Sequence, residues 1–154
     1  MENQNKTCPH CGASMRENWQ ALSPGLVACL VKAIRAVKAS GRNRFHWHHD
    51  LQLTNNESHN FQKLRFHGLI AHADEANHKS GYWLITARGG QFLRGEIRVP
   101  KKVKTFRNQV IGHDQETVHI AQFRSQTRWF ECDFDFDIHA GQVVPRVAQG
   151  VLAI

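Results

Sequence analysis

The segment that begins at Thr54 limits the possible folds most, because it carries signals for both ends of a helix. Thr54 and Glu57 have the T-x-x-E spacing of a capping box, in which each side chain bonds the backbone N–H of the other residue. Phe61 supplies an apolar side, and Gly68 stands where a left-handed C-cap is expected. The pattern predicts a helix over about residues 55–67.

A hairpin and a second capped helix are predicted to follow without interruption. Residues 69–73 and 82–85 are short apolar runs that predict two strands, and the polar residues 74–81 between them predict an exposed loop. Thr86 is then a suitable N-cap for a helix that carries Phe92. The predicted order is helix, hairpin, helix.

Another helix is predicted upstream of this unit. Ser23 and Pro24 form an N-cap and a first-turn proline, and the helix is expected to end near Gly41. Its apolar residues recur at spacings of three and four, which predicts one buried face; they are Leu26, Val27, Leu30, Val31, Ile34 and Val37. Residues 42–53 leave room for a strand and only a very short second helix.

Two stretches of this region, KLRFHGLI at residues 63–70 and YWLITARGGQFL at residues 82–93, resemble winged helix-turn-helix DNA-binding proteins. The first matches the end of a recognition helix, and the second matches the step from the wing to the next helix. The resemblance implies that residues 55–67 are a recognition helix, that loop 74–81 is the wing, and that the partner is duplex DNA. The protein would act as a regulator or an accessory factor.

Winged helices also dock on proteins, so a fold of this kind does not fix the function. The alternative is a protein-interaction module, such as an adaptor or an inhibitor of a nucleic-acid-processing complex encoded by a phage or another mobile element. The expected fold class is α+β in either case. We predict a zinc-knuckle-like segment at residues 1–22, a winged-helix domain at 23–96 and a β-rich extension at 97–154.

Positive charge is concentrated in the suspected winged helix. Residues 32–107 contain 15 Lys and Arg against 5 Asp and Glu, whereas residues 108–154 contain 3 against 6. A basic block of this kind suits a phosphate-binding surface, because each neutralised phosphate releases counterions. Its last part is a basic run that we interpret as a solvated strand edge or as an extension of the DNA footprint: Arg98, Lys101, Lys102, Lys104 and Arg107.

Helical geometry identifies the residues that would face DNA. With Phe61 directed inward, the outer side of the helix carries amides, a histidine and a lysine, which suit base edges and phosphates. In the wing, a histidine and a lysine lie at the tip of the loop. The predicted nucleic-acid-binding residues are Asn55, Asn56, His59, Gln62, Lys63, His78 and Lys79.

Cys8 and Cys11 lie in the sequence CPHCG, which is typical of a zinc-knuckle turn. A redox role is disfavoured, because too few residues precede Cys8 to form the strand that a thioredoxin-like site requires. Zinc needs further ligands, and no second C-x-x-C exists in this chain. Candidates from the same chain are His10, which its neighbouring cysteines constrain, and residues that the fold would bring in: His46, His48, His49, Cys29 and Cys132. Cys29 and Cys132 are better explained as small core residues, so the histidines are the better candidates. Alternatively, two chains of a homodimer share one zinc ion, and each provides Cys8 and Cys11.

An enzyme is not predicted. His48, His49, Asn60 and His67 follow the order of an HNH nuclease loosely, but the last two lie within one predicted helix, which is the wrong setting. The other histidines are interpreted as solvated polar residues.

The last third of the chain predicts β structure, with strands at residues 101–111 and 117–123 around a turn at 112–116. Residues 130–139 alternate between apolar and acidic side chains, which predicts a strand whose apolar face is buried on this domain or on a second copy. Its other face carries Glu131, Asp133, Asp135 and Asp137, interpreted as a charged outer face, a metal-binding row or a surface for a basic partner.

No run of about 18 apolar residues is present, so a membrane span is not expected. The first residues are polar and lack the apolar core of a signal peptide. We therefore expect a cytoplasmic protein whose four cysteines are reduced thiols or metal ligands.

Overall fold

The computed structural model describes residues 16–74, 76–123, 136–139 and 142–145 and has mixed α and β structure. Its α-helices are α1 (Pro24–Ser40), α2 (Asn55–Asn60) and α3 (Ala87–Leu93). Short 3-10 helices span Phe61–His67, His78–Ser80 and Ile120–Phe123. The strands are β1 (Asn18–Ala21), β2 (Phe45–His46), β3 (Ile70–His72), β4 (Tyr82–Ile85), β5 (Val99–Pro100), β6 (Lys102–Phe106), β7 (Gln109–His113), β8 (Thr117–Val118), β9 (Phe136–His139) and β10 (Gln142–Pro145).

Helix α1 confirms the prediction made from its apolar spacing. The Ser23 hydroxyl accepts a hydrogen bond from the Leu26 N–H, and Pro24 occupies the first turn. The left-handed Gly41 ends the helix, and its N–H bonds the Val37 carbonyl. All six apolar positions named from the sequence are buried, so α1 is the central helix of the core.

The predicted helix over residues 55–67 is present, but only its first half is α-helical. The capping box between Thr54 and Glu57 forms, and the left-handed Gly68 closes the far end. From Phe61 onward the chain is a 3-10 helix. At the junction the Asn60 side-chain amide donates to the Asn56 carbonyl at 2.8 Å, which competes with the backbone bond of an α-helix.

The 3-10 geometry decides which residues of this segment reach the core. A 3-10 helix has three residues per turn, so positions i, i+3 and i+6 lie above one another. Phe61, Leu64 and His67 occupy these positions and are 5%, 1% and 3% exposed. The row therefore anchors the helix to the core, while Gln62 is exposed to solvent.

The predicted hairpin is confirmed. Strand β4 covers residues 82–85 as expected, and β3 lies within the predicted run 69–73. Strands β3 and β4 pair with each other in antiparallel orientation, with Ile70 opposite Ile85. Strand β2 pairs with the other side of β4, which gives the order β2-β4-β3. The Thr86 hydroxyl caps α3 through the Gly89 N–H, as predicted.

Residues 42–53, which leave room for a strand and a very short helix, contain a strand and a turn but no helix. The strand expected there is β2. After it, the chain makes a turn in which the Asp50 N–H bonds the His46 carbonyl at 3.0 Å. The Asp50 carboxylate accepts the His46 N–H at 2.7 Å, and Thr54 must already be extended as an N-cap, so no helix develops between them.

The prediction of one strand over residues 101–111 is wrong, because the chain folds back at Arg107 and Asn108. Both residues have positive φ, 54° and 63°, as the tightest hairpin turns require. The residues expected to form the turn at 112–116 instead include the end of β7, and only Thr117–Val118 of the expected second strand is extended. Strand β6 lies between β1 and β7, so Lys102 and Lys104 of the basic run are not on a strand edge.

One hydrophobic cluster joins these elements and extends from Leu22 to Phe123. Strand β9 contacts α3 and β10 contacts α1, which places the C-terminal hairpin on the same core. Strand β9 lies within the predicted strand 130–139; of its acidic row, Asp137 belongs to β9, and Glu131, Asp133 and Asp135 lie outside the described residues. Within the described ranges, no helix has both the length and the apolar character needed to cross a membrane.

His67 is a buried titratable group, contrary to the interpretation of the histidines as solvated. Among the described residues neither of its ring nitrogens has a hydrogen-bond partner. Burial, with a smaller contribution from the positive charge of Arg88, lowers the pKa of His67 to about 4. The imidazole is therefore neutral in the folded protein at neutral pH.

We expect this histidine to make the fold sensitive to acid. The unfolded chain binds a proton at His67 below about pH 6.5, whereas the folded chain resists protonation until about pH 4. The contribution of neutral His67 to the free energy of unfolding is therefore fully present above pH 6.5. It falls between pH 6.5 and 4, by up to about 1.4 kcal/mol per pH unit. In urea unfolding, the free energy of unfolding of a His67→Leu variant should fall less steeply over this pH window than that of the wild-type protein. The control substitution His59→Leu, at an exposed position, should not change this pH dependence.

Candidate nucleic-acid interface

The helix over residues 55–67 is fastened to α1 at its first turn. The Lys32 ammonium donates to the Glu57 carboxylate at 2.7 Å and to the Gln52 carbonyl at 3.0 Å. Burial alone would raise the pKa of the Glu57 carboxyl, but hydrogen bonds from Lys32 and Thr54 outweigh it and lower that pKa below its ordinary value. The carboxylate stays ionised and fixes the direction of the helix.

The outward face of this helix agrees with the prediction from helical geometry. Asn55, Asn56, His59 and Gln62 are exposed, and Lys63 is half-buried. The Asn56 side-chain carbonyl accepts a bond from Asn60 at 3.2 Å, and the Gln62 carbonyl accepts one from Arg65 at 3.4 Å. Each carbonyl retains a second lone pair, and each amide keeps its N–H donors, so both groups can still bind an adenine edge.

A groove of about 390 Å³ lies between the helix and the β3–β4 hairpin, and we call it the hairpin groove. It brings together Gln62 from the helix and Lys79 from the loop of the hairpin. Its walls include the rings of Trp47, Phe61 and Trp83. Two residues predicted separately, one for the recognition helix and one for the wing, therefore line the same depression.

Three other predicted residues line two further depressions. Asn55 lines a neighbouring groove that shares Trp47 with the hairpin groove. Asn56 and Lys63 face a cleft of about 220 Å³ on the opposite side of the helix, which we call the β1 cleft because Trp19 of β1 forms its far wall. His59 lines none of the three, and His78 lies in the 3-10 turn of the hairpin loop.

Trp47 is the residue of this region that the sequence interpretation missed. Its ring stacks on Phe61 with centroids 6.3 Å apart, and Phe61 in turn meets the edge of Trp83 at 5.4 Å. The His72 ring also stacks on Trp83, with centroids 4.1 Å apart. This aromatic row of four rings runs beneath the hairpin groove. A tryptophan inside the polar sequence FHWHHD was the available signal.

His46 holds the turn that carries Trp47, so it too is not simply solvated. Its Nδ1 atom accepts hydrogen bonds from the N–H groups of His48 and His49, at 3.1 and 3.2 Å. Burial, followed by the nearby His49, lowers the pKa of His46, and the Asp50 carboxylate opposes this effect. The Trp47 N–H bonds the Gly81 carbonyl at 3.2 Å, which ties the turn to the base of the hairpin.

Gly81 should be the least replaceable residue of the groove wall. Its φ is +84°, where an L residue costs roughly 1–2 kcal/mol, and an added Cβ would lie 2.5 Å from the His46 Nε2 atom. We expect Gly81→Ala to lower the free energy of unfolding more than Gly41→Ala, where φ is +72° and a Cβ meets nothing within 4 Å. Urea unfolding compares the two, and equal losses would contradict a steric role for His46.

Part of the predicted positive charge is already paired with carboxylates of the protein. Five of the basic residues form ion pairs with carboxylates: Lys32, Arg42, Arg94, Lys101 and Lys104. Lys63 and Lys79 form no ion pair with another described residue. Lys63 lines the β1 cleft on one side of the helix, and Lys79 lines the hairpin groove on the other. Their charges remain available to an anionic partner.

The predicted zinc ligands Cys8 and Cys11 lie outside the described residues, as do His10 and Cys132. Cys29 is a core residue as predicted, and burial raises the pKa of its thiol to about 12. Among the described residues, no three His, Cys, Asp or Glu side chains are grouped so that they could hold a metal ion.

In comparisons with protein families, curated proteins and solved structures, no match to this chain is found. The function must therefore be inferred from the chemistry and geometry of the helix and the hairpin.

Proposed function

We propose that this protein binds duplex DNA through the helix at residues 55–67 and the loop of the β3–β4 hairpin, as a winged-helix-like regulator or accessory factor. The observation that carries the proposal is that Gln62 and Lys79 line one groove. Lys79 in this groove and Lys63 in the β1 cleft form no ion pair with another described residue. An amide for a base edge and a cation for a phosphate are thus held together.

The order of the elements supports this proposal. Helix α1 is followed by β2, the helix at residues 55–67 and a hairpin whose second strand is central in the sheet β2-β4-β3. In place of a second helix the chain has the turn at Trp47–Asp50, which His46 stabilises. This turn carries Trp47, which lines the hairpin groove, so the groove wall is present without that helix.

Each predicted residue has a chemical role in this arrangement. Lys63 and Lys79 position the DNA by neutralising phosphates, which contributes affinity without sequence preference. Asn55, Asn56 and Gln62 present amides to base edges, and His59 can donate to a base or to a phosphate. His78 belongs to the loop that would lie along the DNA backbone or the minor groove.

The salt dependence of DNA binding tests these roles. For the wild-type protein and a random-sequence duplex, we expect log K to fall steeply as log salt rises. Lys63→Ala and Lys79→Ala should each weaken binding and reduce the slope by about one unit, because each removes one phosphate contact. Fluorescence anisotropy titrations at several salt concentrations measure both quantities.

Lys101→Ala is the matched control, because Lys101 is also a lysine but lines neither the hairpin groove nor the β1 cleft. It removes the same charge and should leave the slope unchanged. If the wild-type protein does not bind duplex DNA at low salt, the proposal is wrong. Tight binding of a protein partner by the same face would then identify the rival function, a protein-interaction module.

We further propose that Cys8 and Cys11 bind zinc as two thiolate ligands, with the remaining ligands supplied by this chain or by a second copy. Metal analysis of purified protein should give about one zinc ion per chain, or about one per two chains if the site is shared. Cys8→Ser and Cys11→Ser should abolish binding, whereas Cys29→Ala should retain the metal. Protein without zinc after purification in its presence would contradict this proposal.

A further inference from the structure

We propose that the outer face of the sheet β1-β6-β7 binds single-stranded DNA, with Trp19 as the ring on which a base stacks. The choice of DNA over RNA rests on the proposed function, whereas the surface itself is separate from the hairpin groove. Trp19 is 53% exposed, which is unusual for so large an apolar side chain.

Strand alternation places aromatic and basic side chains on this face. In β6, Val103 and Thr105 are buried, so Lys102, Lys104 and Phe106 belong to the opposite face. Trp19 lies directly across from Lys104 in the β1–β6 register. On the other side Lys104 pairs with Gly112 of β7, which has no side chain to cover the lysine.

The cations on this face are already arranged around aromatic rings. The Lys104 ammonium lies 5.7 Å from the centroid of the Trp19 ring, and the Arg107 guanidinium lies 5.3 Å from the centroid of the Phe106 ring. Alternating rings and cations are what single-stranded nucleic acid requires, because bases stack on the rings while phosphates bind the cations. Lys102 is exposed beside them.

The β1 cleft connects this face to the proposed duplex-binding helix. Trp19 forms one wall of the cleft, and Asn60 and Lys63 of the helix segment form the other. A strand that leaves a duplex at the helix would pass Lys63 and meet Trp19 next. This continuity favours an unpaired strand of the same DNA as the occupant.

Glu17 modulates the face, because its carboxylate bonds the Lys104 ammonium at 2.7 Å. The two side chains are 53% and 35% exposed, and an ion pair in such a setting contributes little to stability, so a phosphate can displace the carboxylate. Removal of this carboxylate should therefore strengthen binding, which a purely structural role for the ion pair would not produce.

Binding of a labelled single-stranded oligodeoxythymidylate at low salt tests the inference. Trp19→Ala should weaken binding by roughly fivefold to a hundredfold, and Trp19→Phe should retain most of it, because a ring remains for stacking. Glu17→Gln should tighten binding. The affinity of the Trp19 and Glu17 variants for duplex DNA should stay within about twofold of the wild-type value. This is well below the change in affinity that the loss of one stacking contact would cause.

Several outcomes would overturn the inference. No binding of the oligodeoxythymidylate, or equal binding by the wild-type protein and Trp19→Ala, would exclude this face as the site. Tighter binding of an oligouridylate than of the DNA would reject the assignment to DNA. Because Trp19 is exposed, its variants should fold, which circular dichroism checks. If they do not fold, Glu17→Gln provides the test, and its failure to tighten binding overturns the inference. Weaker duplex binding by Lys79→Ala, with unchanged binding of the oligodeoxythymidylate, tests the proposed function separately.

Discussion

The position of the proposed binding helix depends on the carboxylate of Glu57. One oxygen of this group accepts the Thr54 N–H, which starts the helix, and the same atom accepts the ammonium of Lys32 on α1. A single side chain therefore caps the helix and joins it to the core helix. The row of Phe61, Leu64 and His67 then fixes its rotation, so the outer residues face solvent and the two flanking depressions.

Local signals in the sequence were sufficient for the elements built from contacts close along the chain. The capping box at Thr54, the left-handed Gly68 and the strand at Tyr82–Ile85 follow from short-range chemistry, and all three are present. The sequence could not predict the hairpin turn at Arg107 and Asn108, because arginine is not a usual turn residue. The 3-10 segment was also missed, since an α pattern and a 3-10 pattern share the same caps.

The candidate site was predicted in part for the same reason. Helical periodicity correctly identified the exposed side of the helix, where Asn55 and Gln62 lie. Periodicity carries no information about contacts between distant segments, so it could not show that Trp47 stacks on Phe61 or that Lys79 shares a groove with Gln62. Nor could it show which cations are paired, because ion pairs such as Lys104 with Glu17 join residues far apart in the chain.

The pairing of β1 with β6 has a consequence for how the chain acquires its structure. The Thr105 hydroxyl bonds the Asn18 carbonyl across 87 positions of sequence, whereas β3 and β4 are neighbours in the chain. Closing so long a loop is entropically costly and slow, so the helix and the local hairpin are expected to form before this sheet. During synthesis β1 has no partner until β6 leaves the ribosome. The face that carries Trp19 is therefore among the last parts of the molecule to be completed.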